Sequence, residues 1–272
     1  MIPRMKRSYV LLLVALLLGC TVPAVLPTAT PTPTSTPTAS PTSTAPSTDT
    51  GWLELVPGME QRRVRVATGG GEELVSIVRL DPTRFVVRVR YTPGAAQPVA
   101  AWAAQSGALL TVNGGYFTAE NLVTGLHISE GERYGVSYGD FAGMLAAPEV
   151  GPTRVRWLRE QPYDPAEPLS AAVQSFPVLV KPGGVMGFPA DADDGRLARR
   201  TVVAQDESGR LLFIIAPRGY FSLHTLAVWL AASDLEIDVA LNLDGGTSAG
   251  LWTVDGPQIN SLIPVPAVIT VE

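Results

Sequence analysis

Two short segments of this sequence place a polar side chain and a pair of glycines directly after an apolar run. Residues 109–117 read LLTVNGGYF, and residues 239–248 read VALNLDGGTS. Glycines at such positions allow a positive φ and bring backbone N–H groups close to a ligand. The same Asn/Asp-Gly-Gly pattern also forms ordinary β-hairpin turns. The pair therefore indicates either two hairpins or one ligand site built at the ends of two strands.

A second pattern, at residues 135–139, reads GVSYG and matches the G-x-S-x-G signature of serine hydrolases, with His224 downstream. That signature requires a buried strand before the serine and a helix after it. The preceding residues 130–134 read EGERY, which is a polar segment. The context therefore argues against a serine hydrolase.

Three further features admit a functional and a structural interpretation. The acidic segment 191–195 (DADDG) suggests calcium, but it lacks the spacing and the closing Glu of a known calcium loop, so we expect a solvated loop. His127 lies in a strand-like stretch and either contacts a ligand or packs in the core. His224 begins a helical stretch and either caps it or faces solvent. No Walker or dinucleotide-binding glycine pattern is present.

Composition excludes several classes of protein. The 272 residues include one Cys and two His, too few for a structural Cys/His zinc site or an intrachain disulfide. The formal net charge is −5. Removing residues 1–50, which hold 3 of the 20 basic and 1 of the 25 acidic side chains, leaves 17 basic and 24 acidic, a net of −7. We therefore expect no nucleic-acid partner, and any phosphate must be held by local donors.

The first 50 residues differ in kind from the rest. Residues 1–20 read as a bacterial lipoprotein signal peptide, with a basic start, an apolar run too short to span a bilayer, and Leu17-Leu18-Gly19-Cys20, which resembles a lipobox. Cys20 is then the lipidated residue, and the alternative is a plain signal peptide. Residues 21–50 form a Pro/Thr/Ser-rich segment, predicted to be a disordered linker. These features predict an extracytoplasmic protein anchored by lipid to the outer face of the bacterial cell membrane.

Residues 51–272 are long enough for one globular domain. Alternating apolar residues predict strands around 64–66, 74–77, 85–91, 155–157 and 201–204, and short apolar runs predict strands buried on both faces at 211–216 and 239–243. Helical spacing occurs after Pro98 and again over 223–231, where Ser222 suits the N-cap. Many strands and few helices predict a single α+β domain with a mixed or antiparallel sheet.

Five motifs occur here in an order and spacing that resemble the phosphodiester glycosidase family. They are an Asn-Gly-Gly-aromatic-Phe turn, a Gly-Leu-x-Ile-x-x-Gly strand, a Gln followed by Pro-x-Leu-Val, an Arg-Thr pair before a turn and an apolar strand, and Asn-Leu-Asp-Gly-Gly-x-Ser. Here they occupy residues 113–117, 125–131, 174–180, 200–216 and 242–248. The resemblance covers about residues 75–272. Ala204 and Thr247 depart from it, since glycine is usual or frequent at both positions.

The resemblance implies hydrolysis of a sugar-1-phosphodiester at the glycosidic bond. It implies catalytic roles for Asp244, Arg200 and Asn113, with Arg200 holding phosphate and Asp244 acting as a base or stabilising the sugar cation. The implied substrate-binding residues are Gly114, Gly115, Gln174, Gly245, Gly246, Thr247, Ser248 and His127. Glu120, Glu130 or His127 are alternatives for acid/base work, and a divalent cation near Asp244 is left open. The expected partner is a glycan or glycopolymer, and the alternative function is a non-catalytic carbohydrate- or wall-binding module.

Overall fold

The computed structural model describes residues 49–137 and 143–272, whose backbone forms eighteen strands and two α-helices. Cys20, the predicted signal peptide and nearly all of the predicted linker lie outside these residues. In chain order the elements are β1 Leu53–Val56, β2 Met59–Thr68, β3 Gly71–Leu80, β4 Val87–Tyr91, α1 Val99–Ser106, β5 Leu110–Asn113, β6 His127–Ser129, β7 Glu132–Tyr134, β8 Gly143–Pro148, β9 Arg154–Trp157, β10 Leu169–Ser175, β11 Val178–Lys181, β12 Val185–Met186, β13 Ala198–Asp206, β14 Leu211–Phe221, α2 Leu223–Ala232, β15 Ile237–Asn242, β16 Leu251–Thr253, β17 Gln258–Ile259 and β18 Ala267–Val271.

The strands assemble into three sheets in which neighbouring strands run antiparallel. The largest sheet has the order β1-β2-β3-β14-β13-β15-β11-β12. The two five-stranded sheets have the orders β17-β16-β5-β18-β4 and β7-β6-β10-β8-β9. The predicted α+β class with a mixed or antiparallel sheet and few helices is confirmed.

Both faces of the large sheet are covered, which explains the uninterrupted apolar runs of its central strands. Along β14, Leu211, Phe213 and Ile215 point into a core shared with the two smaller sheets. The alternate residues of the same strand enter a second core, which includes the buried residues of α2. A side-chain period of two therefore sends successive apolar residues into different cores.

The two helices begin where the sequence predicts. Pro98 directly precedes α1. Ser222 caps α2, because its side chain accepts a hydrogen bond from the Thr225 N–H. In turn, the Thr225 hydroxyl accepts a hydrogen bond from the Ser222 N–H. This reciprocal arrangement satisfies two N–H groups that have no partner inside the helix. Among the described residues, no helix is long and apolar enough to cross a membrane.

One predicted boundary differs from the structure. The alternation over 85–91 predicts a strand from Phe85, whereas β4 begins at Val87. Phe85 lies before the strand and packs against the core that the large sheet shares with the two smaller sheets. Its apolar side chain therefore continues the alternation without belonging to the sheet.

Candidate active site

The two Asn/Asp-Gly-Gly turns meet in the folded chain, although their strands belong to different sheets. β5 ends at Asn113 in a five-stranded sheet, and β15 ends two residues before Asp244 in the large sheet. The Asn113 Nδ2 atom donates to the Asp244 carbonyl over 2.7 Å, and the Asp244 N–H donates to the Gly114 carbonyl over 3.3 Å. Neither turn joins two paired strands, because β5 pairs with β16 and β18 and β15 pairs with β11 and β13. The hairpin interpretation is therefore wrong for both.

The Asn113 turn is closed, because its polar groups are used inside the protein. Asn113 is fully buried, and its Oδ1 atom accepts from the Thr201 hydroxyl at 2.8 Å and from the Gly250 N–H at 3.0 Å. With Nδ2 bound to the Asp244 carbonyl, this side chain joins β5, β13 and the second turn. The geometry is that of a residue that positions the second turn from beneath.

The glycines of the closed turn permit close packing. A Cβ atom on Gly114 would lie 3.1 Å from the Ala267 carbonyl oxygen, and one on Gly115 would lie 2.9 Å from Cε1 of His127. Real Cβ atoms essentially never approach to less than 3.0 Å. Glycine at 115 therefore makes room for the imidazole.

His127 is buried beneath the closed turn. Its Nδ1 atom lies 3.1 Å from the Gly125 carbonyl, so Nδ1 carries the proton, and Nε2 is buried with no hydrogen-bond partner among the described residues. Burial lowers the pKa of His127 to about 4. The imidazole is therefore neutral at pH 7.

The Asp244 turn is open, because it lines a groove of about 550 Å³. The groove lies at one end of the large sheet, where β13 begins, β15 ends and α2 starts. Its walls comprise Tyr116, Asp194, Arg196, Leu197, Ala198, Arg199, Arg200, Leu223, Asn242, Asp244, Gly245, Gly246, Thr247, Ser248 and Leu262. Six of the predicted site residues are in this set.

Asp244 is a partly buried carboxylate at the centre of the open turn. Burial raises its pKa, and hydrogen bonds from the Ser248 side chain and from the Gly245 N–H, the latter at 2.8 Å, act in the opposite direction. A carboxylate held in this way is a stronger base than one in water. Glycine is required next to it, because a Cβ on Gly245 would lie 2.7 Å from the Arg199 carbonyl oxygen, and Gly246 has φ +58°.

Three arginines line the groove, Arg196, Arg199 and Arg200, and we call them the arginine wall. Within residues 49–137 and 143–272, none of them forms an ion pair, whereas eight other arginines do. Arg200 donates from Nε to the Phe221 carbonyl (3.2 Å) and from an Nη to the Arg196 carbonyl (2.7 Å). Burial lowers the pKa of both Arg199 and Arg200. Carboxylates act on these partly desolvated charges without forming an ion pair, Glu73 on Arg199 and Asp193 and Asp194 on Arg200. The guanidinium groups therefore favour the binding of an anion.

A buried carboxylate fixes the strand next to the one that carries Arg199 and Arg200. Glu73 is fully buried, and its two oxygens accept from the N–H groups of Arg218 (2.9 Å) and Tyr220 (3.0 Å). These residues belong to a β-bulge. Ala216 pairs with Arg200 and Phe221 pairs with Ala198, so β14 has more residues than β13 over this stretch. Glu73 lies on β3 and therefore holds the bulged part of β14, the neighbour of the strand that carries Arg199 and Arg200, against β3.

Asn242 supplies a polar group that the sequence analysis did not single out. Its Nδ2 atom donates to the Tyr116 hydroxyl over 2.7 Å and lies 3.2 Å from the Phe176 carbonyl. Its Oδ1 atom is buried without a hydrogen-bond partner among the described residues, and Asn242 lines the groove. Because this side chain is almost completely buried, Asn242 serves to position Tyr116 at the edge of the groove.

The groove does not include every predicted residue. Asn113, Gly114, Gly115, Gln174 and His127 do not line it. Gln174 is buried in β10, where its Oε1 atom accepts from the Leu126 N–H at 3.3 Å. Glu120 is exposed, and Glu130 lies on a separate cavity beside Tyr91 and Trp102.

Sequence reasoning missed Arg196, Arg199, Asn242 and Tyr116 as groove residues. A signal for the arginines was present, since residues 196–200 contain three of them next to the Arg-Thr motif. The acidic segment 191–195, predicted to be a solvated loop, contributes Asp194 to the groove. The Oδ1 atom of Asp194 accepts a hydrogen bond from the Arg196 N–H at 2.9 Å.

Two alternatives from the sequence can be compared with this geometry. The strand before Ser137 is β7, an edge strand whose first two residues are exposed, so the buried strand of a serine-hydrolase site is lacking there. For a divalent cation, the groove offers Asp244 and the loop residue Asp194 against three arginines, and no group of three or more His, Cys, Asp or Glu converges in the described part of the chain. This donor set does not fit a calcium site, which takes six to eight oxygens.

Comparison with known proteins gives a consistent result. The family model described as phosphodiester glycosidase (NAGPA) matches residues 106–272. No curated protein matches the sequence at a significant level.

Among solved structures, the chain is similar to the catalytic domain of zebrafish N-acetylglucosamine-1-phosphodiester alpha-N-acetylglucosaminidase, auto-inhibited by its pro-peptide. The TM-score is 0.64 at 19% identity, covering 81% of this chain and 85% of that one. It is also similar to a hypothetical protein from Synechocystis, with a TM-score of 0.57 at 16% identity and coverage of 81% and 63%. An exported protein from Burkholderia pseudomallei gives 0.52 at 14% identity, with 75% of each chain covered. At these identities the likeness concerns the fold.

Proposed function

The chain belongs to the phosphodiester glycosidase family, and from that premise we propose that its groove hydrolyses a sugar-1-phosphodiester at the bond between the sugar and the phosphate. The observation that carries the proposal is the pairing, in one groove, of a carboxylate whose pKa is raised by burial with three arginines that have no ion-pair partner in the described part of the chain. The first group suits work on water and the sugar, and the second suits a phosphate.

The reaction consumes one water molecule and breaks one bond. The oxygen of water forms a bond to C1 of the sugar, the bond between C1 and the phosphate oxygen breaks, and its electron pair leaves with the phosphate. The products are a free sugar and a phosphate monoester. Positive charge develops on the sugar as the bond breaks, and negative charge on the departing phosphate.

Asp244 is the group assigned to water and sugar. Its carboxylate takes the proton that the attacking water loses, and its negative charge stabilises the sugar cation. The hydrogen bond from Gly245 fixes one oxygen and thereby the direction of the other.

Arg199 and Arg200 are assigned to the phosphate. Both are anchored by carbonyls, Arg199 through an Nη atom to Asn260 and Arg200 to Phe221 and Arg196. Guanidinium groups held in place stabilise the charge on the leaving oxygen without having to reorganise. Because a phosphate monoester leaves readily, no strong general acid is required.

The remaining predicted residues take supporting roles. The backbone of Gly245 and Gly246 and the side chain of Thr247 line the groove and are assigned to substrate orientation. Ser248 is assigned to orienting the Asp244 carboxylate, to which its side chain is hydrogen-bonded. Asn113, Gly114, Gly115 and His127 are assigned to positioning, since they form the closed turn or pack beneath it without lining the groove. Gln174 is assigned to positioning of β6 through its bond to the Leu126 N–H.

The biological setting is proposed from the sequence. Cys20 at the end of the signal-like segment supports lipid anchoring, and the Pro/Thr/Ser-rich segment supports a tether between membrane and domain. We accordingly place the enzyme outside the cytoplasm, on the outer face of the bacterial cell membrane. A glycopolymer of the envelope or its surroundings is the proposed natural substrate.

The test is release of free sugar from a panel of sugar-1-phosphodiesters by the purified full chain, beginning with N-acetylglucosamine-1-phosphodiesters. We expect turnover of at least one member. Arg200→Ala should lower kcat/KM by about 10²-fold or more, because it removes a charge-assisted contact to the leaving group. Arg63→Ala is the matched control, since Arg63 is exposed on β2 away from the groove and should leave turnover unchanged.

Two outcomes would contradict the proposal. Normal turnover by Arg200→Ala would remove the phosphate role of the arginine wall. Binding of glycopolymer without release of sugar from any panel member would support the alternative, a carbohydrate- or wall-binding module with the same fold.

A further inference from the structure

We infer that the alcohol on the far side of the phosphate from the sugar is an apolar chain, so that the phosphodiester joins a sugar of the proposed glycopolymer to a lipid-like alcohol. This inference rests on the proposed function and specifies the second half of its substrate. It is carried by a rim of large apolar side chains that border the arginine wall.

The rim begins with Leu262 and Ile263, whose side chains are 69% and 39% exposed. Their backbone is not free to turn these side chains inward. The Leu262 N–H donates to the Thr247 carbonyl over 2.7 Å, and the Ile263 N–H lies 3.3 Å from the same oxygen. Two adjacent apolar side chains are thus fixed in water by the turn that follows Asp244.

The segment before them is fixed as well. The Asn260 carbonyl accepts from an Nη atom of Arg199 at 3.0 Å, and the nearly buried Ser261 lies 3.4 Å from the Val99 N–H through its hydroxyl. A groove arginine and the open turn therefore hold this segment from two sides. The position of the apolar side chains is tied to the position of the proposed phosphate site.

Two further apolar side chains line the groove. Leu197 is 48% exposed and lies between two groove arginines in the sequence, and Leu223 is half-buried at the start of α2. Together with Leu262 they line the same groove as Arg196, Arg199 and Arg200. We call Leu197, Leu223, Leu262 and Ile263 the apolar rim.

The arrangement fits a ligand with an anionic head and an apolar tail. Arginines would hold the phosphate, and the apolar rim would cover the first carbons of the chain, which gain free energy when removed from water. Asp244 and Thr247 supply carboxylate and hydroxyl groups for the sugar. A polar alcohol such as a second sugar would leave the apolar rim in contact with hydroxyl groups that it cannot bond.

The experiment measures the binding of two phosphate monoesters that represent the released half, methyl phosphate and hexyl phosphate, by titration calorimetry. The protein is the full chain carrying Cys20→Ser, which avoids interference from an attached lipid. We expect hexyl phosphate to bind about tenfold tighter or more, since five additional methylene groups are partly covered. Leu262→Ser should reduce this preference to about threefold or less and leave methyl phosphate binding unchanged.

Leu122→Ser is the matched control, because Leu122 is also 48% exposed but does not line the groove. It should keep the preference for hexyl phosphate. Equal affinity of the wild-type chain for the two esters would overturn the inference, as would an equal loss in the Leu122 variant. Equal affinity accompanied by binding to phosphatidylcholine vesicles that Leu262→Ser abolishes would reassign the apolar rim to a membrane surface.

Failure of this inference is distinguishable from failure of the proposed function. Release of sugar from a methyl phosphodiester with no difference between the two monoesters would leave the hydrolase standing and remove the apolar alcohol. A preference for hexyl phosphate without turnover of any diester would leave an anion and alkyl-chain site and remove the hydrolase.

Discussion

The two glycine turns are nearly alike in sequence and differ in what they do with their polar groups. Asn113 and the glycines after it lie beneath the surface, with the side chain committed to Thr201, Gly250 and the second turn. Asp244 faces a groove and has a raised pKa because of its partial burial. The Asn113 turn therefore supports the Asp244 turn, and the Asp244 turn is the one that a ligand can reach.

The difference teaches that a glycine pair next to a polar residue has no single meaning. In the closed turn, the glycines admit an imidazole and a neighbouring strand. In the open turn, Gly245 admits the Arg199 carbonyl, and Gly246 takes a positive φ in open space. Each of the following predictions would separate the turns further or show that they act alike.

The largest expected effect on stability is that of Asn113→Ala. The substitution leaves the Asp244 carbonyl, the Thr201 hydroxyl and the Gly250 N–H without their partner, and each such group costs about 1–3 kcal/mol when buried. We expect the free energy of unfolding to fall by about 3–5 kcal/mol in urea titrations.

Turnover per folded molecule should fall less than tenfold in this variant, because Asn113 acts through the turn that it supports. Asn113 would instead be a directly catalytic residue, as the family resemblance implies, if stability stayed at the wild-type value while kcat/KM fell a thousandfold.

A pair of alanine substitutions compares the glycines themselves. Gly115→Ala places a Cβ 2.9 Å from the ring of His127 in a packed interior, and overpacking of this kind costs about 1–3 kcal/mol. Gly246→Ala meets no atom within 4 Å, so only its φ of +58° is penalised, by about 1 kcal/mol. Denaturation of the two variants under one condition gives the comparison. A larger loss for Gly246→Ala would show that the open turn is the tighter of the two.

His127 gives the closed turn a dependence on pH. Its pKa is lowered from 6.5 to about 4 by burial, so the unfolded chain binds the proton more readily between these values. Stability contributed by the neutral ring is therefore present above pH 6.5 and is lost as pH falls towards 4, with a slope of up to about 1.4 kcal/mol per pH unit. His127→Asn keeps a donor for the Gly125 carbonyl and removes this titration.

The measurement is the difference in unfolding free energy between wild type and His127→Asn from pH 8 to pH 4. We expect it to be constant above pH 7 and to narrow below 6.5. A constant difference throughout would mean that the ring titrates normally. A hundredfold loss of kcat/KM in His127→Asn would indicate that His127 takes part in acid/base catalysis.

The smallest expected effect on stability is that of Asp244→Asn, and it has the opposite sign. Burial raises the pKa of Asp244, so its ionisation at pH 7 weakens the folded state relative to a neutral isostere. We expect the Tm of Asp244→Asn to equal or exceed that of wild type at pH 7. The difference should disappear below pH 3.8, where the wild-type carboxyl group is protonated in both the folded and the unfolded chain. A lower Tm at pH 7 would indicate that the charge stabilises the turn.

Much of the fold was accessible from sequence, because its strongest signals are periodic. The apolar runs 211–216 and 239–243 correspond to strands with both faces covered, although β15 ends at Asn242, one residue before the end of the second run. The Ser222 cap and the Pro98 start mark the two helices. Short edge strands such as β7 and β12 were not, since two or three residues carry no period. The division into three sheets depends on contacts between distant strands that no local pattern encodes.

The groove was accessible only in part. Asp244 and Arg200 stand out because the resemblance marks them. Asn242 begins the same motif as Asp244, but its role was not predicted, because it depends on bonds to Tyr116 and Phe176 that form only in the folded chain. The closed state of Asn113 also escaped prediction, because it depends on Thr201 and Gly250, which are 88 and 137 residues away in the sequence.

The most direct test of the central claim is the kcat/KM of Asp244→Asn on the sugar-1-phosphodiester that the wild-type chain cleaves fastest. If the open turn carries the base, the value falls by about 10²–10⁴-fold while the variant stays folded. Turnover within a few-fold of wild type would contradict the account, because the groove would then act without the carboxylate on which the distinction between the two turns depends.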